Sequence, residues 1–483
     1  MKRIIVGEGS YGCVHQPAIH CTTPPIPNFD YSNYVSKIMK NKHAVKELDK
    51  FLIVNNVDPT EEYHLGEPIL CKPDLNKSSV KKDISKCKKI GIKNIEDDPE
   101  NYSLLLMKFG GPNLKVLCKK YITNYLKVNK QERLDKFWLE FHHLLKGVKF
   151  FKENGLIHND IKPQNILFNL NDGTMKFIDF GLMRTKKEIL TLSESSKNDL
   201  AVYHWSYPFD CGFMNNNIFN KYKACSLGRK IFWKHQLSEL IVTNSVLNTL
   251  HLPINNPEGF SVLFTYINPD NTIPNADTQY GYIESFFDGF NEMIENTTYE
   301  NTLDFIADSI DVFGLGITLQ FIINCLNRHN VLELSDFMRL SSFCNKMYDF
   351  NPLTRVIDID LLINEFENIL LEMGVLTRLG KTFENNSLVD GLAAPTNIIK
   401  EAKQDSKTQS KQLSQSLQNL AEKDPVKYLS RRLDRRRNSD IKICPPEKEL
   451  NPNTNRCNKN CKPGFLRNEN FRCRKNVTKK LLK

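Results

Sequence analysis

The segment His158-Asn159-Asp160-Ile161-Lys162-Pro163-Gln164-Asn165 constrains this chain more than any other, because Asp179-Phe180-Gly181 follows it across a hairpin. That hairpin reads from Ile166-Leu167-Phe168, the turn Asn171-Asp172-Gly173, and Met175-Lys176-Phe177-Ile178. Each residue type has a chemical use. Asp160 can accept or orient the proton of an attacking hydroxyl. Asn165 and Asp179 offer hard oxygens of the kind magnesium takes, and Lys162 sets a cation beside them. Asp160 and Lys162 are therefore the catalytic candidates, and Asn165 and Asp179 the metal-binding ones. The pattern requires two acids and an amide, distant along the chain, to converge.

Phosphoryl transfer from ATP needs a cradle for the phosphates, a divalent metal on their oxygens and a group that orients the attacking hydroxyl. The candidate cradle is Gly7-Glu8-Gly9-Ser10-Tyr11-Gly12-Cys13-Val14. Glycines let backbone N–H groups approach phosphate without a Cβ in the way. Ile4-Ile5-Val6 before them and Cys13-Val14 after them read as strands, whereas a dinucleotide site would place a helix after the glycines. Tyr34 to Met39 alternates as a further strand, with Val35, Lys37 and Met39 on one face. An ammonium on an apolar face needs anionic partners. ATP phosphates and Glu47 would supply them; Lys40 competes with Lys37, and Glu61 and Glu62 compete with Glu47. A helix from about Lys42 carries the stripe Ala44, Leu48, Phe51 and Leu52 and is closed by Asp58-Pro59. A longer one carries Leu134, Phe137, Phe141, Leu144, Val148 and Phe151 and stops at Asn154-Gly155.

With H-x-D-x-K-x-x-N and D-F-G in this order, the chain resembles the eukaryotic protein kinase superfamily. Lys162, within D-I-K-P-x-N, resembles the serine/threonine branch. The resemblance implies an α+β, bilobal fold, with a small antiparallel β N-lobe, a larger helical C-lobe and ATP between them. It implies ATP and Mg²⁺ as cofactors, with Mn²⁺ an alternative metal, and protein substrates as partners. Leu106-Met107-Lys108-Phe109-Gly110 looks like the gatekeeper and hinge, with Met107 as gatekeeper and the backbone around Phe109 holding adenine. Ala307 to Gly316 resembles the D-x-W-S-x-G helix, where Asp311 would brace the catalytic loop. Asp349 to Arg355 matches the element whose arginine pairs with the glutamate of A-P-E, a role that falls here to Asp210. Asn159 replaces the usual arginine of H-R-D, so activity is expected not to depend on activation-loop phosphorylation. Between Pro208 and Asp311 lies an insertion of roughly a hundred residues, open to reading as a substrate element, a regulatory element or decoration.

Charge divides the chain. The whole carries a formal +10, but residues from Lys381 onward carry +13 and those before it −3. Such a tail suggests an acidic partner, with nucleic acid one option, notably at Arg431-Arg432-Leu433-Asp434-Arg435-Arg436-Arg437. Nine of the 13 cysteines are scattered through the body, and their spacing reads as unpaired thiols of a reducing compartment. No signal peptide is expected, and the apolar run Val312 to Leu326 reads as a buried helix, not a membrane span. The other four cysteines bracket two copies of one pattern, Cys444 to Cys457 and Cys461 to Cys473. Paired disulfides, zinc and free thiols all fit that spacing. The pattern resembles a two-cysteine adaptor module of large cytoplasmic DNA viruses, and with the short N-lobe the chain looks like kinases of the mimivirus group. That implies a cytoplasmic protein, in the host cell or the virion.

The expected organisation is an N-lobe at 1–110, a C-lobe at 111–380 with an insertion at about 211–303, a basic polar linker at 381–440 and the duplicated cysteine module at 441–475. The expected reaction is transfer of the γ-phosphoryl group of Mg-ATP to Ser or Thr hydroxyls of proteins. The alternative is a pseudokinase or scaffold that recruits partners through the cysteine module.

Overall fold

Strands β1 (Ile4–Gly9), β2 (Gly12–Gln16), β3 (Tyr34–Lys40), β4 (Ile69–Cys71) and β5 (Tyr102–Lys108) form one antiparallel sheet in the order β1-β2-β3-β5-β4. In this computed structural model the described residues are 3–9, 12–90, 92–228, 230, 231, 234, 258–270 and 272–390, with short strands near the C-terminus. Ser10 and Tyr11 of the candidate cradle lie outside them. Gly12 is required by a close approach, since a Cβ there would lie 1.9 Å from the Ile38 carbonyl oxygen of β3. Helix α1 (Asn41–Val57) follows β3 directly and buries Ala44, Phe51 and Val54. Its C-terminus is closed by Asp58, whose carboxylate also accepts the backbone N–H of Glu62 and Tyr63.

Between α1 and β5 the chain adds β4 and two short helices, α2 (Ser78–Ile84) and α3 (Ile92–Asp97). Val80, Ile84, Cys87 and Ile95 pack with Cys13, Ile19, Ile38 and Leu104 into a core on one face of the sheet. The cysteines here correct the sequence reading. Cys13 is bonded to Cys87 and Cys21 to Cys71, whereas Cys118, Cys211, Cys325 and Cys344 are free and buried. The partners stand 74 and 50 residues apart, so no local spacing announces them. The inference of a reducing compartment loses its premise with them.

The larger part is helical. Short helical turns at Leu114–Val116 (α4) and Ile122–Tyr125 (α5) lead into α6 (Lys130–Glu153), whose Phe137, Phe141, Leu144, Val148 and Phe151 are buried. Each such side chain contributes about 1.5–3 kcal/mol on leaving water. β6 (Leu156–Ile157) precedes the catalytic-loop segment; β7 (Ile166–Phe168) and β8 (Met175–Phe177) form the expected hairpin, Ile166 opposite Phe177. β9 (Arg184–Thr185) pairs with β6, and α7 (Lys186–Glu194) follows at once. The insertion supplies α8 (Asn216–Lys223), α9 (Glu258–Ile267) and α10 (Ala276–Asn296). Phe213, Tyr222, Phe286 and Phe290 form an aromatic cluster within it, Phe213 and Phe290 centroids 4.4 Å apart, and Phe286 against Phe209 and Tyr282 against Phe350 join it to the body.

Helix α11 (Tyr299–Arg328) runs through the middle. It is long and apolar enough to cross a membrane, yet 94% of its most apolar window is buried inside the protein. Gly314 lets it touch the catalytic loop: a Cβ there would lie 2.4 Å from the Ile161 carbonyl oxygen. Helices α12 (Leu334–Met347) and α13 (Ile359–Glu372) complete this part.

All of these elements belong to one compact unit, save for residues 224–236; a second unit comprises those residues, 380–382 and the chain from 389 on. Near the C-terminus, Lys448–Asn451 pairs with Arg456–Lys459, and Phe465–Arg467 with Cys473–Lys475. Each copy of the duplicated pattern thus runs into one antiparallel strand pair, whose second strand extends past the copy's last cysteine. The state of the four cysteines, the zinc reading and the basic run at 431–437 lie outside the described residues and side chains.

Candidate active site

The site forms where β3, α1 and the two ends of the β7–β8 hairpin meet. Lys37 Nζ lies 2.7 Å from both carboxylate oxygens of Glu47 on α1, and 3.5 Å from Asp179 Oδ1. Lys40 at the strand end is exposed, Glu61 pairs with Lys108, and Glu62 lies beside His143, so the competing residues engage other partners. Burial by itself would lower the pKa of Lys37, but the carboxylates of Asp179 and Glu47 outweigh it and hold the ammonium above its ordinary value. Asp179 experiences the converse. Burial favours its neutral form, yet Lys37, Lys162 and His158 keep its carboxyl below the usual range. It remains 43% open to the cleft. A carboxylate that stays ionised and accessible is what a divalent cation requires.

Asp160 is held from both sides. Lys162 Nζ donates to Oδ1 at 2.6 Å, and Asn165 Nδ2 donates to Oδ2 at 2.7 Å and to the Asp160 carbonyl at 2.9 Å. Because Asn165 donates through its nitrogen, its amide oxygen is the end left for a cation. Burial lifts the Asp160 carboxyl above its ordinary value against the pull of Lys162. Asp160, Lys162, Asn165, Asp179, Lys37 and Glu47 are therefore brought together.

The backbone beneath them is clamped by α11. Asp311 accepts the N–H of His158 at 2.7 Å and of Asn159 at 3.0 Å. Asn159 and Asp179 both adopt left-handed backbone conformations, φ 63° and 64°. The Phe180 ring fills the space behind, 5.0 Å from His158 and 5.6 Å from Phe51 of α1. Arg355 and Asp210 are joined in a buried ion pair.

The cradle residues divide by face. Gly7 and Val14 are partners across β1 and β2, and Val14 also stands opposite Lys37, on the cleft side. Cys13 is opposite Ile38, and its side chain points into the disulfide with Cys87, so it offers the cleft backbone only. Glu8 and Gly9 are exposed at the tip of the β1–β2 turn. The register of β5 sets Met107 and Leu105 on one face of the sheet. Met107 is opposite Val35, next to the hinge segment, and Leu105 is opposite Lys37, buried with Met39 and Ala44. Phe109 is 41% exposed, and its N–H is spent on the Asn33 carbonyl at 3.0 Å.

Two contacts have no counterpart in the sequence reading. The Tyr207 hydroxyl donates to the Asn159 carbonyl at 2.5 Å, tying the segment after α7 to the catalytic loop. Lys50 of α1 meets Glu188 of α7 at 3.4 Å. A tyrosine just before Pro208 was a visible signal for the first; nothing local signals the second.

Comparison with known proteins agrees with this geometry. Residues 76–194 match the protein kinase domain family, a stretch that contains Asp160, Asn165 and Asp179 but not Lys37 or the glycine-rich turn. The chain is 31% identical over 116 residues to the "Probable serine/threonine-protein kinase ifkC" of Dictyostelium discoideum, covering 24% of this chain and 6% of that protein. It is 33% identical over 98 residues to the "Calcium/calmodulin-dependent protein kinase kinase cmkC" of Emericella nidulans, 18% of each. It is 29% identical over 112 residues to the "Ovarian-specific serine/threonine-protein kinase Lok" of Drosophila melanogaster, 23% of this chain and 22% of that protein. The chain thus spans less than a quarter of the length of these relatives. Residues 76–194 are similar to protein kinase domains, and the Dictyostelium and Drosophila relatives are serine/threonine kinases by name.

Proposed function

We propose that the protein is an active serine/threonine kinase that transfers the γ-phosphoryl group of Mg-ATP to protein hydroxyls. One observation carries the reading: Lys162 and Asn165 fix Asp160 from two sides while Lys37 bridges Glu47 and Asp179 in the same cleft. When bound, Mg-ATP supplies the phosphoryl group and the charge that neutralises its oxygens. The protein's own residues do the rest. Lys37, held by Glu47, presents an ammonium to the phosphates, and the oxygens of Asp179 and Asn165 hold the metal. Asp160 orients the substrate hydroxyl and takes its proton, a role favoured by its raised pKa. Lys162 stays beside the transferred group and steadies its charge. Asp311 and Tyr207 keep the loop in shape.

The duplicated tail hairpins are read as a partner-recruiting module of the type attached to proteins of large DNA viruses, with the basic linker as a second contact for an acidic partner. The experiment for the central reading is transfer from radiolabelled ATP to a generic protein substrate by the wild type and by Asp160→Asn. Phosphoserine or phosphothreonine formed by the wild type alone supports it. An inert wild type, or equal labelling by both, rejects it.

A further inference from the structure

We infer that the insertion builds a substrate-selecting wall beside the catalytic loop, and that Tyr266 and Lys115 make the enzyme prefer acidic residues next to the phosphoacceptor. This rests on the kinase reading above and names its substrate class. Helix α9 of the insertion ends at the catalytic loop. There the Tyr266 hydroxyl receives Lys115 Nζ at 2.6 Å and Gln164 Nε2 at 2.7 Å. Gln164 lies between Lys162 and Asn165, so this hydroxyl is anchored to the loop that carries the catalytic aspartate. The Trp205 ring stacks on Tyr266, centroids 4.4 Å apart and planes 9° from parallel. Trp205 belongs to the segment that Tyr207 ties to the same loop. The wall is therefore assembled from three parts of the chain and fixed in place.

Its charge is one-sided. Among the described residues Lys115 forms no ion pair with a carboxylate; its partners are the Tyr266 hydroxyl and the ring face, 5.0 Å from Nζ. Lys162 adds a second positive charge whose field reaches Tyr266, and its own acidic partner is Asp160 of the catalytic loop. His204 is bonded to Ser206 at 2.8 Å, and burial holds its pKa down to about 4, so it is neutral at physiological pH. A half-buried ammonium without a counter-charge is a cost that an incoming carboxylate relieves. The same wall repels a lysine or arginine placed there. This gives the insertion a task in the reaction.

The test uses the full chain, Mg-ATP and three peptides that differ only in whether Asp/Glu, Ala or Lys/Arg flank the acceptor serine. We expect kcat/KM for the acidic peptide to exceed that for the basic one by about tenfold, mainly through KM, the equivalent of one half-buried ion pair. Lys115→Glu should reverse the order. Tyr266→Phe, which keeps the ring and removes only the hydroxyl, should narrow the ratio several-fold and covers the case in which Lys115→Glu does not fold. Equal rates on all three peptides, a basic preference, or an order unchanged by both variants would overturn the inference while leaving the kinase reading intact. No labelling of any peptide would reject the kinase reading itself, and this inference with it.

Discussion

Arg355 Nη1 lies 2.9 Å and 3.2 Å from the two carboxylate oxygens of Asp210, and neither side chain is exposed to solvent. The partners are 145 residues apart, one just before the insertion and one well after it. The pair therefore joins the two flanks of the insertion, so its added helices need not pull the body apart. A buried guanidinium left alone is costly, about 3–5 kcal/mol when one partner of such a pair is removed. Asp210→Ala should lose that much in urea unfolding, and the double variant Asp210→Ala with Arg355→Leu should lose less than the two single losses combined. Additive losses would show that the residues do not act as a pair.

Lys37 should be indispensable where Lys40 is not. Lys37→Met removes the cation that Glu47 and Asp179 hold in the cleft. Its kcat/KM should fall about 10²–10³-fold, the scale for losing one fixed electrostatic partner of the reacting group. Lys40→Ala, at an exposed strand end, should stay within about twofold, as surface changes do. Steady-state kinetics with varied ATP decides between them; the opposite ranking would return the assignment to Lys40.

Activity should survive phosphatase treatment. Asn159 stands where a phosphate-receiving arginine would, and its side-chain amide is already committed to the carbonyls of Ile157 and Leu182. The segment after α7 is held instead by Tyr207 on the Asn159 carbonyl and by Arg184 on Asp199. Tyr207→Phe deletes a buried hydrogen bond worth about 1 kcal/mol, so kcat should drop several-fold with little change in the KM for ATP. Loss of activity on dephosphorylation would contradict this arrangement.

His158 of the catalytic loop and Asp311 of α11, which braces it, are displaced in opposite directions. Burial pushes His158 down to about 4 and Asp311 up to about 7. For His158 the unfolded chain binds the extra proton, so its contribution is present above pH 6.5 and is lost as pH falls toward 4. For Asp311 the folded state binds the extra proton, so its contribution is full in acid and is lost as pH rises from 4 to 7. The two slopes oppose, each up to about 1.4 kcal/mol per pH unit. Asp311→Asn should leave the histidine slope uncovered, and its stability should climb more steeply than that of the wild type between pH 4.5 and 6.5. Parallel profiles in denaturant unfolding would refute the assignment.

Much of this site could be read directly from the chain, because its residues are dictated locally. H-x-D-x-K-x-x-N and D-F-G carry fixed chemistry, and the stripe from Leu134 to Phe151 has the period of a buried helix face. The β7–β8 turn needed only Asn171-Asp172-Gly173. What stayed hidden depends on distant partners. Cys13 and Cys87 meet only because α2 and α3 fold back onto the sheet. Leu105 stands opposite Lys37 because strand register is set by pairing, which the sequence of β5 alone does not state. Tyr266 reaches Gln164 across 102 residues, and no periodicity foretells that contact.

The most direct measurement of the central claim is a structure of the protein soaked with Mg²⁺ and a non-hydrolysable ATP analogue. Metal should appear about 2.1 Å from oxygens of Asp179 and Asn165, with Lys37 on the phosphates and Asp160 facing the terminal one. Triphosphate bound elsewhere, or a cleft that admits none while Asp160, Asn165 and Asp179 diverge, would contradict the account.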